Sequence, residues 1–193
     1  MAGRARGRRL ETPPGASTRP TTDRVREAFF SVLASWNGTA DRPVEEQLAG
    51  LSFLDLYAGS GAMGLEAASR GAHPVLLVES DARAHAVVRR NLEATGLDAN
   101  TRAARTETVV ATPNPGNPFD VVWLDPPYDL RTEVLESVLT AVLANNWVRR
   151  DGVVVVERSG RDAAPQVAGT EAWDRGYGET TLYWFAPLEE ESP

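Results

Sequence analysis

The sequence predicts an α/β fold: a mostly parallel, doubly wound sheet with an antiparallel hairpin at one edge. Three observations carry the prediction. Apolar strand-like runs alternate with amphipathic helical stretches from residue 51 onward. Two of those runs lead directly into turns with ligand-binding character, Asp55–Gly64 and Asp125–Tyr128. The last two strand-like runs follow each other with no helical stretch between them, which forces an antiparallel return.

The elements follow in order. Residues 1–22 are rich in Arg, Gly, Pro and Thr and read as an extended basic arm. Asp23 is placed to cap a helix from Arg24 to about Trp36, whose Val25, Ala28, Phe29, Val32 and Leu33 recur at helical spacing. Asn37–Gly38 ends it, and a short helix is expected over Val44–Leu48. Leu51–Tyr57 is the first strand, followed by a glycine-rich turn and a helix over Ala62–Arg70. Pro74–Glu79 is continuously apolar, as a strand buried on both faces should be. Asp81 caps a helix that runs to Thr95, and Gly96 stops it. A weak third strand falls near Arg102–Ala104 and a loop over Pro113–Pro118. Phe119–Leu124 is the fourth strand, Thr132–Asn145 a helix and Gly152–Glu157 the fifth strand. Glu171–Asp174 and Thr180–Phe185 form the closing hairpin, for seven strands in all. The expected organisation is therefore an arm over 1–22, one domain over 23–188 and a disordered acidic tail over 189–193, with no internal repeat.

Composition narrows the function classes. The 193 residues contain no cysteine and only two histidines, His73 and His85, so neither a disulfide framework nor a catalytic metal is expected. No apolar run approaches the roughly 20 residues of a membrane span. Met1–Leu10 lacks the apolar segment of a secretory signal, and the expected compartment is the cytoplasm. All 20 basic residues are arginine, and the net charge is −7. Residues 1–26 hold seven Arg against Glu11 and Asp23, or +5, which leaves −12 on the rest. A basic arm on an acidic body grips phosphates locally; the alternative is a solvated tail.

Asp55-Leu56-Tyr57-Ala58-Gly59-Ser60-Gly61-Ala62-Met63-Gly64 ends the first strand and opens a helix. Gly59 and Gly61 permit positive φ and close approach of backbone to a ligand, and the helix start offers N–H groups to an anionic ligand group. Glu79, at the end of the second strand, can accept from two ribose hydroxyls. The spacing also fits the dinucleotide fingerprint, so a NAD-binding oxidoreductase stays open. Chain length argues against it, as does Asp55, which can reach the amino and carboxylate region of a different ligand.

Asp125-Pro126-Pro127-Tyr128 follows the fourth strand directly. Two prolines fix φ and remove two N–H donors, which leaves carbonyls to accept from a ligand. Asp125 and the Pro126 carbonyl can each accept one N–H of an exocyclic amine and so orient its lone pair, while Tyr128 stacks on the base. Ligands of open α/β sheets sit beyond the carboxyl ends of the strands, so both turns are expected to face one crevice.

These residues resemble the RsmD-type bacterial methyltransferases, which modify guanine N2 in 16S ribosomal RNA. The matching stretches are Arg19-Pro-Thr-Thr-Asp-Arg-Val-Arg-Glu-Ala28, Asp55–Gly64 with Leu65-Glu66-Ala67, and Asp125–Tyr128. The resemblance implies a Rossmann-like class I fold with a seven-stranded sheet and S-adenosylmethionine as cofactor. It places Asp55, Gly59 and Gly61 around the methionine part of the cofactor and Glu79 at the ribose. Tyr57, Ala58, Ser60 and Ser80 are further cofactor positions. The family's adenine-contacting position falls on Glu107. Asp125, Pro126, Pro127 and Tyr128 hold the guanine. Arg8, Arg19, Thr21, Thr22, Arg24 and Arg26 contact RNA. The implied substrate is 16S ribosomal RNA within a partly assembled small subunit, and the implied enzyme is a monomer. In one departure, the chain reaches Arg4 almost at once, where family members begin with a short apolar strand. The rival functions are adenine-N6 or glutamine-N5 methylation, NAD-dependent oxidoreduction, and RNA binding by a non-catalytic assembly factor.

Overall fold

The computed structural model describes residues 1–13 and 23–188. The expectations for Arg19, Thr21, Thr22 and the 189–193 tail lie outside the described residues. The chain divides into two compact units, Met1–Ala104 and Arg105–Pro193.

The first unit holds α1 (Asp23–Trp36), β1 (Phe53–Asp55), α2 (Ala62–Ser69), β2 (Val75–Glu79), α3 (Ala82–Thr95) and β3 (Asn100–Ala103). Its strands lie in the order β3-β2-β1, all parallel. The core is built by Phe29, Phe30 and Leu33 of α1 against Phe53, Leu54 and Leu77 of the sheet, all at most 1% exposed. Asp81 caps α3 by accepting from the Ala84 amide at 2.8 Å, and Gly96 closes it in a left-handed conformation, both as expected. Asp23 is the first residue of α1 rather than its cap, and its carboxylate pairs with Arg26 one turn on, at 2.6 Å. Val44–Glu46 is a single 3-10 turn instead of a helix reaching Leu48. β1 is shorter than Leu51–Tyr57, because beyond Asp55 the chain leaves the ladder and the Ala58 amide turns to the Val78 carbonyl.

The first 13 residues are not a free arm. A 3-10 turn over Gly3–Ala5 seats Ala5 in the core. Both Glu66 oxygens accept from the Ala2 amide at 3.1 and 3.2 Å, and the Ser69 hydroxyl accepts from the Ala5 amide at 2.8 Å. Further along, the Asn91 side chain of α3 accepts from the Glu11 amide at 2.8 Å and donates to the Glu11 carbonyl at 3.0 Å. It also donates to the Ser60 carbonyl in the glycine-rich turn, at 2.8 Å. Asn91 is 2% exposed, and losing it removes three part-buried hydrogen bonds, each contributing about 0.5–1.5 kcal/mol net. Asn91→Ala is expected to lower the unfolding midpoint in urea and to expose Arg8 and Arg9 to trypsin. Unchanged cleavage would mean that residues 1–13 are held by other contacts.

The second unit holds α4 (Thr106–Val110), β4 (Phe119–Leu124), α5 (Thr132–Ala144), β5 (Val148–Ser159), β6 (Thr170–Tyr177) and β7 (Thr180–Pro187). The strand order is β4-β5-β7-β6, with β4 and β5 parallel and the β6–β7 hairpin antiparallel at the edge. The seven strands give the expected α/β class, mostly parallel with an antiparallel edge pair. α4 was not foreseen: five residues are too few to show a helical period. β5 begins four residues earlier than expected, in the polar stretch Val148–Asp151. A register shift between Phe119 and Val121 accommodates it, and Arg149 pairs with Asp120 at 3.1 Å and Asp151 at 2.9 Å. Among the described residues no helix is long and apolar enough to cross a membrane.

Candidate active site

In the first unit the glycine-rich turn is built around two carboxylates. Asp55 ends β1, is 1% exposed, and accepts from the Gly64 amide of α2 at 3.0 Å through Oδ2. Its Oδ1 is buried with no hydrogen-bond partner among the described residues. Glu79 ends β2 and accepts from the Gly59 amide at 2.8 Å and the Asp81 amide at 2.7 Å, one with each oxygen. Glu79 was expected at a ribose; it also fixes the turn, and each oxygen keeps a second lone pair for a ligand. Among the described residues no basic side chain pairs with either carboxylate. Burial, reinforced by the neighbouring Glu79 charge, pushes the Asp55 carboxyl up to about 7, against the smaller opposing pull of the Gly64 and Tyr57 amides.

The glycines have separate reasons. Gly59 has φ +56°, and a Cβ there would meet nothing within 4 Å, so the turn is open at this point. Gly61, at φ +83°, also packs inward: a Cβ would lie 3.2 Å from both Leu65 and Leu77. At Gly64 a Cβ would lie 2.8 Å from Leu77, so this glycine permits contact between α2 and β2. Tyr57 and Ser60 are half-buried, Ala58 is buried and Ser80 is exposed.

A cavity of about 310 Å³ adjoins the turn, lined by Arg8, Arg9, Leu10, Asp23, Arg26 and Ser60 among others. Three guanidinium groups against one carboxylate make it basic. The Arg8 guanidinium also donates to the Ala94 carbonyl at 3.1 Å, while Arg24 is exposed on α1. Arg9 and Asn91 were not singled out from the sequence. An Asn on an amphipathic helix reads as surface, and only its burial shows otherwise.

In the second unit β4 delivers Asp125-Pro126-Pro127-Tyr128. Asp125 is half-buried, Pro126 buried and Pro127 exposed, and Tyr128 is 59% exposed. The Pro127 carbonyl accepts from the Leu130 amide at 3.0 Å. That bond closes the turn. Glu107 is half-buried on α4 and lies 3.5 Å from Arg105. Among the described residues no cluster of His, Asp and Glu could hold a metal.

The comparisons agree with this picture. The family model described as conserved hypothetical protein 95 matches residues 1–186. The ribosomal RNA small subunit methyltransferase D of Escherichia coli K12 is 35% identical over 167 residues, covering 86% of this chain and 77% of that protein. A solved structure from Escherichia coli superposes with TM-score 0.81 at 30% identity, covering 98% of this chain and 97% of its own. The Thermus thermophilus 16S rRNA N2 G1207 methyltransferase, solved with AdoMet and guanosine, shares the fold at TM-score 0.61 and 20% identity, over 91% of this chain and 45% of that one. The chain therefore belongs to the conserved hypothetical protein 95 family, together with the ribosomal RNA small subunit methyltransferase D proteins.

Proposed function

We propose that this protein transfers the methyl group of S-adenosylmethionine to N2 of a guanine in 16S ribosomal RNA. The observation that carries the reading is the pair Asp55 and Glu79 beside the open Gly59 turn, with an orphaned buried oxygen on Asp55 and no basic partner among the described residues. When ionised, Asp55 suits a ligand bearing sulfonium and ammonium charges and repels the pyrophosphate of a dinucleotide. That separates the methyltransferase reading from the oxidoreductase one, and the names of the relatives point the same way.

Asp55 and the turn amides would hold the methionine end of the cofactor, and Glu79 its ribose, with Tyr57, Ala58, Ser60, Gly61 and Ser80 lining the turn and Glu107 serving the adenine. The cofactor supplies an electrophilic methyl group. Asp125 and the Pro126 carbonyl accept the two N–H bonds of the guanine amine, which directs its lone pair outward, and Tyr128 stacks on the base. Much of the rate enhancement then comes from positioning. The amine nitrogen would take the methyl group in line as the carbon–sulfur bond breaks, leaving S-adenosylhomocysteine, and the surplus proton would pass to the Asp125 carboxylate that already accepts that N–H.

The basic cavity of Arg8, Arg9 and Arg26 fits RNA phosphates, which position a substrate without reading its sequence. Arg19, Thr21, Thr22 and Arg24 are assigned to the same task. A paired or stacked guanine must be extruded, at a cost of a few kcal/mol, which favours a partly assembled subunit as substrate; the enzyme is taken to act as a monomer in the cytoplasm. Mass spectrometric mapping of methylated bases in small-subunit rRNA tests the assignment. Cells lacking the protein should lose one N2-methylguanine, and re-expression should restore it. An unchanged pattern would remove the rRNA assignment.

A further inference from the structure

We propose that Trp173, Arg175 and Tyr177, on the outermost strand β6, form a docking strip for unpaired RNA nucleotides that flank the target guanine. Trp173 and Tyr177 stack on bases, and Arg175 takes a backbone phosphate. The proposal rests on the reading above, in which RNA is the substrate and the Asp125–Tyr128 turn seats its target base.

Alternate side chains of a strand share a face, so the three residues form one row at steps of about 6.8 Å. Trp173 stacks on Trp184 of β7, with ring centroids 6.0 Å apart and planes 12° from parallel. Trp184 is 3% exposed, whereas Trp173 is 44% exposed. One face of Trp173 therefore covers its neighbour and the other meets solvent. The Arg175 guanidinium carbon lies 5.6 Å from the centre of the Tyr177 ring. Arg175 is exposed, and among the described residues it pairs with no carboxylate. The pairing places the strip beside the candidate site. Leu124, the last residue of β4, lies opposite Val156, Val156 opposite Tyr183, and Tyr183 opposite Asp174 of β6. Arg175 and Tyr177 follow Asp174, at the end of the sheet where β4 gives way to Asp125. The ends of that row are three strand spacings apart, about 14 Å, which about four nucleotides stacked at about 3.4 Å cover.

The chemistry selects the occupant. Aromatic faces on a sheet stack the bases of single-stranded RNA, and a guanidinium among them meets the backbone. β6 is the edge of the sheet, but its charged residues Glu171, Asp174 and Arg175 oppose the addition of a further strand there. The face, not the edge, is the surface on offer. Asp174 alternates to the other face, and Glu171 lies four residues from Arg175, about 14 Å along the strand. Extruding a guanine also leaves its neighbours without a stacking partner, and stacking them on the protein offsets part of that cost.

The test uses the full chain and fluorescence anisotropy with a labelled short single-stranded RNA carrying one central guanine, and with the same RNA annealed into a duplex. Tyr177→Ala should weaken single-strand binding by about tenfold and leave duplex binding unchanged, since paired bases offer no free face. Its salt dependence should match that of wild type, because the lost contact carries no charge. Tyr177→Phe keeps the ring and should bind as wild type does. Arg175→Ala should reduce the slope of log affinity against log salt by about one. A Tyr177→Ala variant with wild-type affinity, an equal loss on single strand and duplex, or a Phe variant as weak as the Ala variant overturns the proposal. If Tyr177→Ala melts much earlier than wild type, Arg175→Ala decides, and an unaltered salt slope overturns the proposal. A wild type that binds neither RNA defeats the underlying RNA reading instead.

Discussion

Asp125→Ala is expected to lower kcat/KM for methyl transfer by about 10²–10³-fold, the scale on which misplacing a reacting group or deleting one preorganised partner acts. It should leave the dissociation constant of S-adenosylmethionine within about threefold. The expected loss is large because Asp125 combines two tasks. It holds one N–H of the amine and, through that bond, fixes where the nitrogen lone pair points. With the Pro127 carbonyl already committed to the Leu130 amide, the Pro126 carbonyl is the remaining backbone acceptor assigned to the amine, and one acceptor leaves it free to rotate. The cofactor should be indifferent, since Asp125 is not among its proposed contacts, Asp55, Gly59, Glu79 and Glu107. Asp125→Asn retains a carbonyl acceptor and should lose less. Methyl transfer from labelled cofactor to small-subunit RNA, measured alongside calorimetry, checks both halves. Full activity in the Ala variant would show that the amine is held by other groups.

What the sequence made legible follows from how local each signal is. β2 and β4 are built on the apolar runs Val75–Val78 and Val121–Leu124 and were read to within a residue, because burial on both faces selects apolar side chains there. α3 is bracketed by residues with single mechanical roles: Asp81 as an acceptor for the first turn, Gly96 for the left-handed exit. The start of β5 was missed because Arg149 and Asp151 are solvated residues that pair with one another, and hydropathy hides a strand of that kind. The site divides in the same way. Asp55, Gly59, Glu79 and Asp125 announce themselves by following strand ends. The inward packing of Gly61 depends on Leu65 and Leu77, and the anchoring of residues 1–13 depends on Glu66, Ser69 and Asn91. These are partners up to 80 positions away, and no local pattern reveals them. Composition suggested a loose basic arm, whereas three buried polar side chains hold its first half to the fold.

Asp55 sets the second large expectation, a proton linkage in cofactor binding. In the folded protein its carboxyl titrates at about 7, raised from an ordinary 3.8 chiefly by burial. Between these values the folded chain holds a proton that the unfolded chain has released. The contribution of Asp55 to stability is therefore full below pH 4, is lost as pH rises toward 7 and is absent above it. Asp55→Asn should flatten that slope in urea titrations, since an amide does not ionise. Binding runs the other way. A sulfonium and ammonium ligand favours the carboxylate and lowers its pKa in the complex. Below pH 7 the cofactor must then displace a proton, and its affinity should fall by up to about tenfold per pH unit, levelling off near and above pH 8. Calorimetry in two buffers of different ionisation enthalpy should count close to one proton released at pH 6 and almost none at pH 8.5. In Asp55→Asn the affinity at pH 8.5 should drop and its pH dependence between 6 and 8.5 should vanish. A wild-type affinity that is flat across that range would mean that Asp55 keeps its proton in the complex, and that the positive end of the cofactor is neutralised by Glu79 alone.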